Sequence, residues 1–213
     1  MTQDNAVADG AMANTLRVKV TDAFGNVLAG QMVSVTAGNS ATVASTVTTH
    51  PDGTVEISVT SQTAGTSTVT ASINSSSQSQ SVKFIADVST AQIAVLEVTQ
   101  DNSVADGSTA NTLLVRVTDA FGNTLAGQTV SVTAGNGATV APTVITEPDG
   151  TVEISVTSQT AGISAVTASI NSSSQSRNVT FIADVRTAQI ADLRLLRTAQ
   201  WRTVRRRTRC VRG

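Results

Sequence analysis

The sequence predicts an all-β chain of two tandem antiparallel sandwiches followed by a tail of non-native sequence. Three observations carry this. The chain repeats itself at a fixed spacing of 97 residues, its apolar residues alternate with period two, and Gly- or Asn-based turns separate the alternating runs.

The repeat runs without a gap from Thr2–Ala94 onto Thr99–Ala191, and of these 93 pairs 76 are identical. VTDAFGN stands at 20–26 and 117–123, PDGTVEISVTSQTAG at 51–65 and 148–162, and FIADV at 84–88 and 181–185. In the second copy, Val95-Leu96-Glu97-Val98 reads as an opening strand. Leu113, Val115 and Val117 then alternate with Leu114, Arg116 and Thr118, and Val130, Val132 and Ala134 with Thr129, Ser131 and Thr133. The same alternation carries Val152, Ile154 and Val156, then Val166, Ala168 and Ile170, and last Val179, Phe181 and Ala183. Such alternation puts one face of each strand in a core and the other in water. Between the runs stand Gly122-Asn123, Ala126-Gly127, Gly135-Asn136-Gly137, Pro148-Asp149-Gly150 and Ala161-Gly162, where Gly or Asn accepts positive φ. No stretch carries a helical period of useful length.

The core is therefore expected to consist of Val, Ile, Leu and Ala with one Phe per copy, Phe84 and Phe181. In the first copy Met1 takes the place of Val98, so that copy is expected to lack most of its opening strand. The expected division is residues 1–88 as the first module, 89–94 as a linker, 95–185 as a complete second module, and 186–213 as linker and tail.

Composition removes several functional classes. With no Tyr, one His (His50), one Cys (Cys210) and one Trp (Trp201), neither a His-based nucleophile system nor a His/Cys zinc site can be repeated in both copies. No intrachain disulfide is possible. No apolar run reaches the roughly 18 residues needed to cross a bilayer, and the start MTQDNAVADG has neither the basic nor the apolar part of a signal peptide. The expectation is a chain that is not an enzyme and needs no cofactor. No nucleic-acid partner and no direct membrane contact are expected either.

The succession VTDAFGNTLAGQTVSVTA, PDGTVEISVTSQTAG, VTASI and VTFIADV resembles the bacterial immunoglobulin-like domain, group 1, of intimin- and invasin-type adhesins. The resemblance covers residues 2 to about 185. It implies immunoglobulin-like sandwiches that serve as non-enzymatic stalk modules of a larger surface adhesin. That adhesin would be anchored in the outer membrane by a part this chain does not contain, with neighbouring modules as the partners. The alternative it leaves open is a module that itself binds a host receptor, a glycan or another module.

After Ala191 the repeat fails. A shift of reading frame across 192–210 can spell Leu-Glu-Val-Thr-Gln-Asp, one misfit, then Ser-Val-Ala-Asp-Gly-Ser-Thr-Ala-Asn-Thr-Leu, which is 17 of the 18 residues of Leu96–Leu113. The tail is thus expected to be a third copy read out of frame. Its arginines, including Arg205-Arg206-Arg207, together with Trp201 and Cys210, would then be by-products of that frame. The charge divides accordingly, with 6 basic and 14 acidic residues up to 191, and 8 Arg with one Asp after it.

Few residues stand out as candidate sites. Asp87, Asp106 and Asp184, near module ends, are oxygen ligands that could hold Ca²⁺ at a junction, although turn-forming Asp is the plainer reading. Phe24 and Phe121, in the Ala-Phe-Gly-Asn turns, are candidate partner contacts, against the favoured alternative that they pack over the end of the sandwich. His50 and its counterpart Glu147 precede a Pro-Asp-Gly turn and read as exposed turn residues.

Overall fold

The computed structural model describes residues 3–194; the out-of-frame reading, Trp201, the arginine run and Cys210 fall largely or wholly outside them. Met1–Ala183 form one compact unit that holds both repeats, and the segment beginning at Asp184 forms a second.

Each repeat is a sandwich of two sheets. In the first, strands β1 (Ala6–Val7), β8 (Ser76–Ile85), β7 (Gly65–Ile73), β3 (Met32–Ala37) and β5 (Thr46–Thr48) lie side by side in that order. Facing them are β2 (Asn14–Lys19), β6 (Thr54–Thr60) and β4 (Thr42–Val43). The second repeat places β10 (Ser103–Val104), β17 (Ser173–Ile182), β16 (Gly162–Ile170), β12 (Thr129–Ala134) and β14 (Thr143–Ile145) in one sheet. Its other sheet has four strands: β13 (Thr139–Val140), β15 (Thr151–Thr157), β11 (Asn111–Thr118) and β9 (Gln92–Gln100). The fourth strand, β9, is the difference between the copies. Where it would lie in the first repeat, the described residues carry only the bridge Gln3↔Thr15.

The alternating residues are the core. Leu113, Val115 and Val117 are all fully buried, as are Val130, Ile154, Val156, Val166, Ala168, Val179 and Phe181. Phe84 plays the same part in the first repeat at 1% exposure. Each such aliphatic side chain contributes roughly 1.5–3 kcal/mol on burial, which is how a chain without disulfides holds two sandwiches.

The structure departs from the sequence reading in three places. The pairing is not wholly antiparallel: β1 runs parallel to β8, and β10 parallel to β17. The cause is an opening strand that changes sheets. After β9 the chain turns at Asn102, whose φ is 62°, and continues as β10 on the opposite sheet. The buried Asn111 holds that crossing, its Oδ1 accepting from Ser103 N (3.0 Å) and its Nδ2 donating to Thr180 O (2.9 Å). Secondly, β17 ends at Ile182, and Ala183 is exposed rather than a core position. Thirdly, the 89–94 segment is structured. Val88–Thr90 form a 3-10 turn, β9 starts at Gln92, and Ala91 and Ile93 belong to the second core.

Candidate functional site

The side chains that do more than build a sandwich gather where the first repeat meets the second. The Asp-Ala-Phe-Gly-Asn turn supplies most of them. In the first copy Asp22 organises the turn alone, its Oδ1 accepting from Phe24 N and Asn26 N (both 2.9 Å) and its Oδ2 from Asn26 Nδ2 (2.8 Å). The Asn26 side-chain donor, followed by its backbone N–H, holds the Asp22 carboxyl below the usual carboxylate range. Gly25 closes the turn at a φ of 88°, where no Cβ is comfortable.

The second copy builds the same turn, with Asp119 Oδ1 accepting from Phe121 N and Asn123 N (both 2.9 Å). It then adds bonds that reach across to the first repeat. Asn123 Nδ2 donates to Gln62 O (3.0 Å) while Asn123 Oδ1 accepts from Ala64 N (2.8 Å), so one amide grips both polar groups of a single turn of the first repeat. Asp119 Oδ2 accepts from Asp87 N (3.1 Å) as well as from Asn123 Nδ2 (2.8 Å), and Asp119 is fully buried. Ala120 N donates to Thr90 Oγ1 (3.2 Å), and Gln92 Nε2 to Asp119 O (3.2 Å). Ala86, the end of the first repeat, packs against the core of the second.

The connecting segment is itself fixed. Asp87 caps the 3-10 turn, its Oδ1 accepting from Ser89 N (2.9 Å) and Ser89 Oγ (2.7 Å), and Thr90 Oγ1 donates back to Asp87 O (3.1 Å). The Ser89 hydroxyl is the main cause of the lowered Asp87 carboxyl pKa. With both ends of a four-residue turn bonded, few torsions remain free between the sandwiches.

The expected site residues distribute unevenly over this arrangement. Asp87 lies in the junction as a cap. Asp184 is the equivalent cap after the second repeat, accepting from Arg186 N (2.9 Å). Asp106 holds its own turn, accepting from Ser108 N (2.7 Å) and Thr109 N (2.6 Å), and these donors, with the Thr109 hydroxyl, press its carboxyl far below the ordinary range. Among the described residues no group of three or more His, Cys, Asp or Glu side chains is placed to hold a metal ion. The packing expected for Phe24 is absent: it is 92% exposed, while Phe121, in the turn at the junction, is 45% exposed. His50 is exposed in its turn. Sequence reasoning saw Asn123 only as a turn former and did not single out Asn111. For Asn111 a signal existed, an Asn repeated inside an apolar alternation; for Asn123 none did, since Asn26 stands in an identical motif.

The model of the family described as bacterial Ig-like domain (group 1) matches residues 1–85 and again 93–182. The inverse autotransporter adhesin YeeJ of Escherichia coli (strain K12) is 33% identical over 210 residues, which is 90% of this chain and 9% of that protein. This chain therefore spans less than a tenth of the curated relative's length. Among solved structures, InvD of Yersinia pseudotuberculosis superposes with a TM-score of 0.61 at 17% identity, covering 87% of this chain and 58% of that one, a likeness of fold. Invasin, a bacterial integrin-binding protein, is 30% identical with a TM-score of 0.45, covering 85% of this chain and 38% of that one.

Proposed function

The chain belongs to the bacterial Ig-like domain (group 1) family, whose adhesin domains are non-catalytic, and from this premise we propose that its two repeats act as stalk modules. They would hold an adhesive part of a longer surface protein away from the outer membrane that anchors it. The neighbours of each repeat are further repeats of its own kind.

The observation that carries the reading is the two-sided grip of Asn123 on the Gln62–Ala64 turn, joined by the Asp119–Asp87 bond. A flexible tether has no use for a buried, hydrogen-bonded joint, whereas a spacer that must transmit reach needs one. The outward strand faces agree, since residues such as Thr68, Thr70, Ser77, Ser79 and Gln80 offer none of the aromatic or Arg anchors that dominate binding interfaces. Solution scattering tests this directly. An extended particle with a narrow range of inter-repeat angles is expected, and a compact one or a freely bending pair would overturn it.

One feature favours a second reading, that a repeat contacts a receptor, a glycan or another module itself. Phe24 is almost wholly exposed, at the tip of a rigid turn. Binding of the chain to host cells that is lost with Phe24→Ser would establish that role and displace the spacer reading.

A further inference from the structure

The turn that leads from β12 to β13 holds Asn136-Gly137, the one place in the sequence where Gly follows Asn; every other asparagine precedes Ala, Val, Ser or Thr. Ala138 N donates to Gly135 O (3.0 Å) and closes the turn, with Asn136 and Gly137 at φ of 53° and 67°. Its base is fixed, because the buried Ser164 Oγ donates to the same Gly135 O (2.7 Å) and Gly135 N donates to Ala165 O (2.9 Å). Its tip is not. Asn136 and Gly137 are exposed, and neither the Asn136 side-chain amide nor the Gly137 N–H has a hydrogen-bond partner among the described residues. A Cβ added at Gly137 would meet nothing within 4 Å.

Other asparagines of the second repeat have their amides bound. Asn111 Nδ2 donates to Thr180 O, Asn123 Nδ2 to Gln62 O and Asp119 Oδ2, and Asn171 Nδ2 to Ala91 O (3.1 Å). The first repeat supplies an internal comparison. There Asn39-Ser40 occupies the same turn, closed by Ala41 N donating to Gly38 O (3.0 Å), with φ of 49° and 56°. The two turns share their geometry and differ at the residue after Asn, where Ser40 carries a Cβ and Gly137 does not. A side chain at that position crowds the approach of its own backbone nitrogen to the preceding side chain, and glycine removes the obstruction.

We propose that Asn136-Gly137 is a self-modification site, at which the second repeat converts its own asparagine to aspartyl and isoaspartyl forms while the first repeat stays unmodified. The Gly137 nitrogen bonds to Asn136 Cγ and the Cγ–Nδ2 bond breaks. Ammonia leaves, carrying the proton shed by the Gly137 nitrogen, and a cyclic imide remains. One water then opens the imide. Attack at one carbonyl leaves aspartate in place of Asn136, and attack at the other leaves isoaspartate, whose main chain runs through Cβ and whose α-carboxylate is free. No oxidant or reductant takes part. Both products add a negative charge to the tip of the turn. The isoaspartyl form also lengthens the backbone between Gly135 and Ala138 and so breaks their closing bond. The bonds of Gly135 to Ser164 and Ala165 lie outside the altered segment, so the sandwich itself persists.

Prolonged incubation of the folded, full-length chain in warm, mildly alkaline buffer tests this, with each asparagine followed by mass spectrometry of its peptide. Asn136 is expected to convert about tenfold faster than Asn39, a barrier difference of roughly 1.4 kcal/mol. Gly137→Ser, which reproduces the turn of the first repeat, should bring Asn136 down to the rate of Asn39. The reverse change, Ser40→Gly, should raise Asn39 to the rate of Asn136. A purified isoaspartyl methyltransferase with labelled S-adenosylmethionine should methylate residue 136 of the incubated chain and leave the fresh chain unlabelled. Circular dichroism should show both sandwiches folded throughout. Asn136 left intact in the folded chain while the urea-unfolded chain converts, equal rates at Asn136 and Asn39, or conversion undiminished in Gly137→Ser would each overturn the proposal.

Discussion

Replacing Asn123 by Ala, beside the same change at Asn26, isolates the joint between the repeats. Both substitutions remove the amide that bonds the turn's own aspartate, Asp119 in one case and Asp22 in the other, at 2.8 Å. Only Asn123→Ala also removes the bonds to Gln62 O and Ala64 N. A net contribution of about 0.5–1.5 kcal/mol per hydrogen bond makes the excess loss roughly 1–3 kcal/mol. For domains of this size that corresponds to a further fall in melting temperature of about 4 °C or more. Far-UV circular dichroism suits the measurement, because there is no Tyr and Trp201 lies outside the repeats. The scattering profile of Asn123→Ala should broaden, while that of Asn26→Ala should match the parent. Equal losses for the two variants, within about 0.5 kcal/mol, would refute the claim that this amide joins the repeats.

Further expectations concern the sandwiches themselves. Gly150→Ala should destabilise the second repeat well beyond Gly122→Ala: both have positive φ, but a Cβ at Gly150 meets Val117 O at 3.0 Å and Thr124 Cβ at 2.9 Å, whereas at Gly122 it meets open space. Comparable melting temperatures for the two variants would contradict this. Asn111→Ala leaves Ser103 N and Thr180 O without their partner and should cost about 2 kcal/mol or more in urea unfolding; a loss below about 0.5 kcal/mol would show that the crossing holds without it. The first repeat, with three strands against four in the corresponding sheet, should melt before the second, and two separately produced repeats that melt together would exclude this. The hydrogen-bonded Asp9, Asp22, Asp52, Asp87, Asp106 and Asp149 all have pKa values lowered from 3.8. The folded state thus binds fewer protons than the unfolded one, so their stabilisation is full above about pH 4 and is lost as the pH falls through the folded values. Asp106→Asn should flatten that decline, and a urea midpoint unchanged between pH 5 and pH 2.5 would count against it.

The strands were legible because a two-residue period leaves one interpretation of Leu113–Val117 or Val152–Val156 once turn residues bound them. The short elements were not: β10, β13 and β14 are two or three residues long, too few to show a period. The transfer of the opening strand to the other sheet was equally hidden, since it depends on where Asn111 meets the Ser103 and Thr180 backbone, contacts 8 and 69 residues away. Asp87 was legible as a residue at a module end, but its use as a turn cap rather than a ligand follows from Ser89, whose hydroxyl lies 2.7 Å away.

Sequence by itself determined the repeat, its period, the β class, the aliphatic core with one Phe per copy, and that neither copy contains a cysteine. These are properties of local pattern and composition, and they hold wherever the segment is placed. Tertiary structure alone decided that Asp22 and Asp119, in identical Asp-Ala-Phe-Gly-Asn turns, differ. One organises a turn beside water, and the other is buried and bonded to Asp87 of the preceding repeat. A residue's neighbours in space, which no local motif records, set what identical residues do.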